Sequence, residues 1–338
     1  MALKASEKLY EARELCARLF FCPDPEGVTF TLNATYALNM AVFGLVGEGD
    51  HVLISDLEHN STLRCVEHLK RTKNVAFSVF STEGNVQESI EAGLRNNTKA
   101  LICTHASNIT NRVLPLEKIG KLLKKRGVLF IVDASQSAGS HKIDMEQMEI
   151  DALCLPGHKG LLGPQGIGIA VFSPSVKPQP LVHGGSGSHS RLPSMPDHLP
   201  DRMEAGTLPT PAAAGLCEGI RYVLEQGEEG ILRRETELMR RMSGEFENDR
   251  RIFTYSSGDG PIWLFNIKGV PSQKTARMLD SLGVCVRPGL HCAPLAHRTL
   301  TTPEDGAVRV STGPLTCRWQ AEHFCKALKR VADETCRG

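Results

Sequence analysis

Between residues 27 and 172, short apolar runs alternate with amphipathic stretches of helical length, and this alternation limits the fold more than any other feature of the chain. The candidate strands are Gly27-Val-Thr-Phe-Thr-Leu32, His51-Val-Leu-Ile-Ser55, Val75-Ala-Phe-Ser-Val-Phe80, Ala100-Leu-Ile-Cys-Thr-His105 and Val128-Leu-Phe-Ile-Val-Asp133. Helical spacing occupies residues 4–20, a stretch from about Thr35, and residues 60–72, 86–95 and 115–126. Strands separated by helices of this length predict an α/β fold, with a mostly parallel sheet covered on both faces. Asp151-Ala-Leu-Cys-Leu155 and Ile167-Gly-Ile-Ala-Val-Phe172 add two strands around a glycine-rich loop.

The character of the chain changes after residue 173. Residues 174–211 are rich in Pro, Gly, Ser and His and have little periodicity, as in His183-Gly-Gly-Ser-Gly-Ser-His-Ser190. Long irregular segments of this kind are usually functional or disordered. Helical spacing then covers 212–247, followed by apolar Pro261-Ile-Trp-Leu-Phe-Asn-Ile267, a helix near 272–282, a strand Val284-Cys-Val-Arg287, a strand Ala307-Val-Arg-Val-Ser311 and a last helix near 318–335. This describes a large domain over 1–215 and a smaller α+β domain over 216–338, in keeping with a length of 338 residues.

Composition removes several classes of function. With 39 basic and 38 acidic residues the net charge is +1, which offers no broad surface for nucleic acid or anionic membrane. Residues 27–47 are uncharged but carry Thr29, Thr31, Asn33, Thr35 and Asn39, and their first part alternates like a strand, so a membrane span is rejected. The eleven cysteines are odd in number and include no Cys-x-x-Cys, which argues against a disulfide framework or a structural zinc site and for a reducing cytoplasm. Met1-Ala-Leu-Lys-Ala-Ser-Glu-Lys8 is too charged for a secretory signal.

The loop Leu155-Pro-Gly-His-Lys-Gly-Leu-Leu-Gly-Pro-Gln-Gly-Ile-Gly168 holds Lys159 in tight backbone, downstream of a buried strand that ends on Asp133. Pyridoxal phosphate (PLP) chemistry needs this pair: an amine to form a Schiff base with the aldehyde, and a carboxylate to keep the pyridine nitrogen protonated. Other strand ends point the same way. Thr31-Leu-Asn-Ala-Thr35 closes a strand and opens a helix whose free amides favour a phosphate, although a plain helix cap reads identically. His105 ends another strand, at the edge where open α/β sheets bind ligands, and its ring could stack on a cofactor. Asp133-Ala-Ser-Gln136 also resembles a capping box.

Thr104-His-x-Ser-Asn108, Val132-Asp-x-x-Gln136, Gly157-His-Lys-Gly-Leu-Leu-Gly-Pro-Gln-Gly166 and Glu204-Ala-Gly-Thr207 follow one another as in class V aminotransferase-like PLP enzymes. Within that family the chain most resembles the cysteine desulfurases, from about Leu9 to the last helix. The resemblance implies a type I PLP-dependent transferase fold, with Lys159 as the Schiff-base lysine, Asp133 on the pyridine nitrogen, Gln136 on the phenolic oxygen with Asn108 beside it, and His105 on the ring. Ala34, Thr35 and His158 match phosphate contacts. Thr207 matches a phosphate contact given by a second subunit, implying a homodimer with shared sites.

Val286-Arg-Pro-Gly-Leu-His-Cys-Ala-Pro-Leu295 resembles the desulfurase loop, in which the cysteine takes sulfur from the substrate as a persulfide and alanine leaves. That makes Cys292 the nucleophile, a role needing thiolate character that a nearby cation would favour. Arg309, in Ala307-Val-Arg-Val-Ser311, resembles the arginine that forks the substrate carboxylate, with Arg287 assisting. The expected substrate is L-cysteine, and the short cysteine loop implies a sulfur-acceptor protein, as in iron–sulfur cluster assembly. No metal is implied. The neighbouring readings are a selenocysteine lyase, another class V aminotransferase or epimerase, or an inactive PLP-binding partner subunit. The chain departs from its relatives at Pro156 (often Ser), Pro209 (often Asn), and Leu315 and Thr316 (often Tyr and Asn). Relatives also begin some tens of residues earlier, with a segment that covers the substrate entrance, and this bears on substrate closure and activity.

Overall fold

The computed structural model describes residues 2–256 and 259–335 and divides into two compact units. The first comprises residues 1–106 and 114–228, the second residues 107–113 and 229–338.

The first unit runs α1 (Ala2–Phe20), a 3-10 turn (Pro25–Gly27), β1 (Val28–Thr31), α2 (Ala34–Leu45), β2 (His51–Ser55), α3 (Asn60–Lys73), β3 (Ala76–Phe80), α4 (Val86–Gly93), β4 (Thr98–Thr104), α5 (Leu116–Arg126), β5 (Leu129–Asp133), β6 (Ala152–Pro156), β7 (Gly168–Phe172) and α6 (Thr210–Gln226). The seven strands form one sheet in the order β1-β7-β6-β5-β4-β2-β3. Neighbours from β3 to β6 pair in parallel, while β7 is antiparallel to both β6 and β1. All residues of β2, β6 and β7 are buried, as expected where helices cover both faces. The helices present apolar stripes to this sheet. In α5, Leu116, Ile119, Gly120 and Leu123 are buried and charged residues lie between them, with Gly127 ending the helix at φ 65°. α6 packs along α1, so it stays with the first unit and the division falls after it, at Glu228 rather than near residue 215.

The second unit runs α7 (Glu228–Gly244), β8 (Ile252–Thr254), β9 (Ile262–Ile267), α8 (Ser272–Asp280), β10 (Arg287–Gly289), α9 (Pro294–Thr299), β11 (Ala307–Ser311) and α10 (Arg318–Thr335). Its strands form an antiparallel sheet in the order β10-β11-β9-β8. Every residue of β9 is buried, and Trp263 stacks on Phe265 at 4.4 Å while Phe324 meets both rings edge-on. The segment 107–113 joins this unit through Asn111, whose side chain exchanges hydrogen bonds with both backbone groups of Ile262.

Two expectations change here. The strand expected over 284–287 is shifted to Arg287–Gly289, with Pro288 inside it. β10 is an edge strand paired only to β11, and an edge is where a residue lacking an N–H can sit in a ladder. The helical region over 212–247 is two helices, parted at Gly227, where φ is 73°.

A buried ion pair ties the irregular segment after β7 to the start of the chain. Arg13 and Glu204, 7 % exposed each, meet through two parallel bonds of 3.0 and 2.5 Å. The Glu204 carboxylate also accepts from the Phe30 amide at 2.6 Å, and Arg13 donates to the Val28 carbonyl and lies over the Phe30 ring. Removing one member leaves the other charged and buried, so Arg13→Ala is expected to cost about 3–5 kcal/mol in chemical denaturation of the full chain. Arg13→Lys should recover only part of the loss, because an ammonium cannot span both carboxylate oxygens and the Val28 carbonyl.

Candidate active site

The carboxyl edge of β4 and β5 is the foundation of the site. The two strands pair in register up to Thr104 opposite Asp133, and the ladder continues through His105 N–H to the Asp133 carbonyl at 2.9 Å. Asp133 is 3 % exposed, and one carboxyl oxygen accepts from the Ser135 amide at 2.9 Å. Residues 135–140 are turns, so this contact closes an Asx turn and not a helix cap. His105 is 5 % exposed, its Nδ1 has no partner, and His141 meets its ring edge-on at 5.7 Å. Burial, then His141, pushes the His105 imidazole down to about 3, so it is a neutral, flat ring at neutral pH. Gln136 lies half-buried in the turn after Asp133.

The lysine loop folds back on itself through Gly157 N–H to the Ile167 carbonyl (2.9 Å), Gly163 N–H to Gly157 (2.8 Å) and Leu162 N–H to Lys159 (2.9 Å). Lys159 and His158 stand exposed on it, and burial, then the Lys159 charge, lowers the His158 imidazole. Two glycines place this loop against the turn that follows Asp133. A Cβ on Gly160 would lie 2.1 Å from the Ala138 carbonyl oxygen, and one on Gly139 would lie 2.3 Å from that of Gly160. Gly168 does the same for the start of α2, since its Cβ would lie 2.4–2.6 Å from the Asn33 backbone. Asn33 caps α2 by accepting from Tyr36 N at 3.2 Å, and the amides of Ala34 and Thr35 lie in its first turn, outside the intrahelical ladder. Thr35 Oγ1 is 2.8 Å from Ser61 Oγ, which is 2.9 Å from His59 Nδ1. Thr207 is exposed, three residues after the anchored Glu204.

Sequence reasoning missed Glu58. This residue is fully buried where β2 and β4 part, accepting at Oε1 from Ser55 Oγ (2.5 Å) and from the Thr104 amide (2.8 Å). Burial raises its carboxyl from 4.5 to about 8, with the Asp133 charge contributing in the same direction. The available signal was its place in Ser55-Asp-Leu-Glu58, just past a strand end; Glu58, His59 and Ser61 are all close to that edge.

In the second unit, Arg309 on β11 faces Arg287 on β10. Its Nη1 donates to the Asn108 carbonyl at 3.1 Å, and its buried Nε has no partner. Burial, then Arg287, lowers the Arg309 guanidinium. Cys292 is partly exposed on a turn in which His291 and Cys292 both adopt left-handed backbone, at φ 52° and 56°. Arg287 Nη2 lies 4.0 Å from Cys292 Sγ. The side chain of Asn108 donates to the His291 carbonyl at 2.9 Å and so is committed to this turn. Ala34, Thr35, His105, Asp133, Gln136, His158, Lys159 and Thr207 thus belong to the first unit, and Asn108, Arg287, Cys292 and Arg309 to the second.

The model of the aminotransferase class-V family matches residues 1–324. The chain belongs to that family. A protein of Methanothermobacter thermautotrophicus named probable cysteine desulfurase is 31% identical over 98% of this chain and 86% of its own length. The apo structure of the cysteine desulfurase from Thermococcus onnurineus NA1 superposes with a TM-score of 0.89 at 27% identity, covering 98% of this chain and 85% of that one. A C-DES mutant with glycine covalently linked to the PLP cofactor shares the fold, with a TM-score of 0.84 at 20% identity over 98% of this chain and 87% of that one. The class V residues of this chain suit a phosphate-bearing pyridine. A buried carboxyl ends β5, a neutral ring with an unpartnered Nδ1 ends β4, and a helix N-terminus has amides outside its ladder.

Glu58 makes a pH prediction. Its folded-state value lies above the unfolded one, so between pH about 4.5 and 8 the folded chain keeps a proton that the unfolded chain has released. The stability it contributes is present below this window and falls as pH rises through it. Glu58→Gln, which keeps the Oε1 acceptor, should lose this dependence. Between pH 5.5 and 8.5 the variant should gain on the wild type by an amount on the order of a few kcal/mol in unfolding titrations.

Proposed function

We propose that this chain is a PLP-dependent cysteine desulfurase that converts L-cysteine to L-alanine and leaves a persulfide on Cys292. The observation that carries this reading is the presentation of Cys292: a partly exposed thiol on a left-handed turn, with a guanidinium 4.0 Å from its sulfur. The family membership and the desulfurase relatives support it over other class V activities.

PLP, when bound, supplies an electrophilic aldehyde and a ring that accepts electrons. Lys159 would hold it by its amine, and Asp133 would keep the ring nitrogen protonated. Gln136 would donate to the phenolic oxygen, with Asn108 near it. His105, being neutral, would lie on the ring without competing for the proton that Asp133 holds in place. The Ala34 and Thr35 amides, the Thr35 hydroxyl and His158 would hold the phosphate dianion. Arg309 has one nitrogen committed to the Asn108 carbonyl, and the rest of its guanidinium would take the substrate carboxylate, with Arg287 adding positive charge. Net, the substrate C–S bond breaks, an S–S bond forms at Cys292 Sγ, and the hydrogen lost by that thiol ends on the alanine methyl group. The Arg287 guanidinium, 4.0 Å from the sulfur, lies beside the atom that takes the transferred sulfur.

The reading extends to a homodimer in which Thr207 of one subunit completes the phosphate site of the other; its exposure beyond the Arg13–Glu204 anchor supports this. It also includes an acceptor protein that collects sulfur from Cys292, and a cytoplasmic location. All ten cysteines among the described residues are unpaired, in keeping with a reducing compartment, and no helix among those residues is long and apolar enough to cross a membrane.

The purified protein reconstituted with PLP should be yellow and should release alanine from L-cysteine. Cys292→Ala should keep the colour and lose persulfide formation by at least about a thousandfold, as expected when a covalent nucleophile is removed. Lys159→Ala should lose the absorbance of the lysine-linked cofactor. A wild-type protein that stays colourless would overturn the PLP reading, and persulfide formation that survives Cys292→Ala would overturn the assignment of the nucleophile.

A further inference from the structure

Beneath the Cys292 turn lies a pair of buried histidines that the reaction outlined above does not use. His291 and His297 are 4 % and 3 % exposed, and their rings lie side by side, 5.3 Å between centroids and 13° from parallel. Four groups form a single line: Thr302 Oγ1 is 2.9 Å from His297 Nδ1, His297 Nε2 is 3.1 Å from His291 Nδ1, and His291 Nε2 is 2.9 Å from the Arg287 carbonyl. A carbonyl only accepts, so His291 must carry its proton on Nε2 and accept at Nδ1. That acceptor requires the proton of His297 on Nε2, which leaves His297 Nδ1 to accept from the Thr302 hydroxyl. One arrangement of protons satisfies every atom, and both rings are neutral in it. An added proton on His291 would set its Nδ1–H against the His297 Nε2–H, and burial holds both imidazoles down at about 4.

The far end of this line is the backbone of Arg287, the residue whose guanidinium faces the Cys292 sulfur. The near end is helix α9, which carries His297. Between them, His291 and Cys292 hold left-handed backbone, which a non-glycine residue adopts only when its surroundings enforce it. The turn is closed by Ala293 N–H to the Leu290 carbonyl at 2.9 Å and by Asn108 to the His291 carbonyl. Neither contact reaches Arg287, whereas the histidine line ties its backbone carbonyl to the residue that precedes Cys292.

We propose that the Thr302–His297–His291–Arg287 line is a proton-ordered relay that positions Arg287 against the Cys292 thiol, making His297 and Thr302 positioning residues for the sulfur-accepting step. The proposal rests on the reading of Cys292 as the nucleophile. It places the reactivity of the thiol under the control of a histidine five residues away in sequence, which need not touch substrate or cofactor.

Iodoacetamide alkylation of the full-length protein without cofactor, read peptide by peptide by mass spectrometry, tests the relay without relying on turnover. Arg287→Gln and His297→Leu should each slow alkylation of Cys292 by about five- to tenfold, and the double variant should be no slower than either single one, since both remove the same interaction. His297→Gln, which can donate to His291 and accept from Thr302, should stay within about twofold of wild type. Thr302→Val should be slowed and Thr302→Ser should not. Exposed Cys285 and Cys317 should react at unchanged rates throughout. Alkylation of Cys292 at the wild-type rate in His297→Leu, or effects that multiply in the double variant, would overturn the relay. If His297→Leu exposes buried Cys325, the chain has unfolded and the Thr302 pair decides: a wild-type rate in Thr302→Val overturns the proposal, and a slowed rate with Thr302→Ser normal supports it. Parallel turnover of L-cysteine by the holoenzyme keeps the two claims apart, because the predicted alkylation pattern without turnover would defeat the desulfurase reading and leave the relay standing.

Discussion

The hydrogen bond from the His105 amide to the Asp133 carbonyl extends the β4–β5 ladder by one step beyond its last strand residue, and the candidate cofactor site is built outward from it. It sets the height at which the His105 imidazole and the Asp133 carboxyl leave adjacent strands. One strand further along, the Ala134 amide donates to the Cys154 carbonyl at 2.9 Å and carries the same alignment to β6, which feeds the lysine loop. The backbone contact of Gly139 with Gly160 then fixes the distance from the Asp133 turn to that loop. Three chemically distinct groups are thus positioned by main-chain bonds. Side-chain substitutions elsewhere would disturb them little.

On the other side of β4 the sheet has its topological switch: the chain passes from β2 outward to β3 and returns beyond β2 to form β4. The connections from adjacent strands run in opposite directions at such a point, and the crevice outside the strands' carboxyl ends is where open α/β sheets take ligands. Glu58 lies at this switch point. Its Oε1 gives the Thr104 amide the acceptor that a longer β2 would have provided, and Ser55 at the end of β2 holds the same oxygen. Burial keeps the group protonated at neutral pH, so it can fill the gap without placing a second full charge near Asp133.

Much of this was legible in the sequence because it is encoded locally. The strands of the large sheet are mostly apolar, β5 ends on Asp133, and helices α3, α4 and α5 show the expected spacing, so both the order of elements and the edge bearing Asp133 and Lys159 could be read directly. What escaped depends on neighbours distant in the chain. β8 is three residues long with two of them exposed, too short to announce itself. Pro288 looked like the end of a strand because its tolerance at an edge depends on where β10 falls in the sheet. Glu58 acquires meaning only when β2 and β4 are known to be adjacent. His297 drew no reading from the sequence, since its significance lies in its contact with His291 and, through it, with the Arg287 carbonyl.

His105, His291, His297 and Glu58 share a physical logic that bears on how this protein can work near neutral pH. All four are buried, and burial is the largest cause of each shift, moving the histidines down and the glutamate up until none is charged. Two of them also reach the backbone: Glu58 accepts from the Thr104 amide at the end of β4, and His291 donates to the Arg287 carbonyl. Neutral groups can be hydrogen-bonded tightly in a low-dielectric interior without the desolvation cost of an ion. On the reading proposed above, the charges of Arg287 and Arg309 would act on thiol and carboxylate without a neighbouring charge from these four groups.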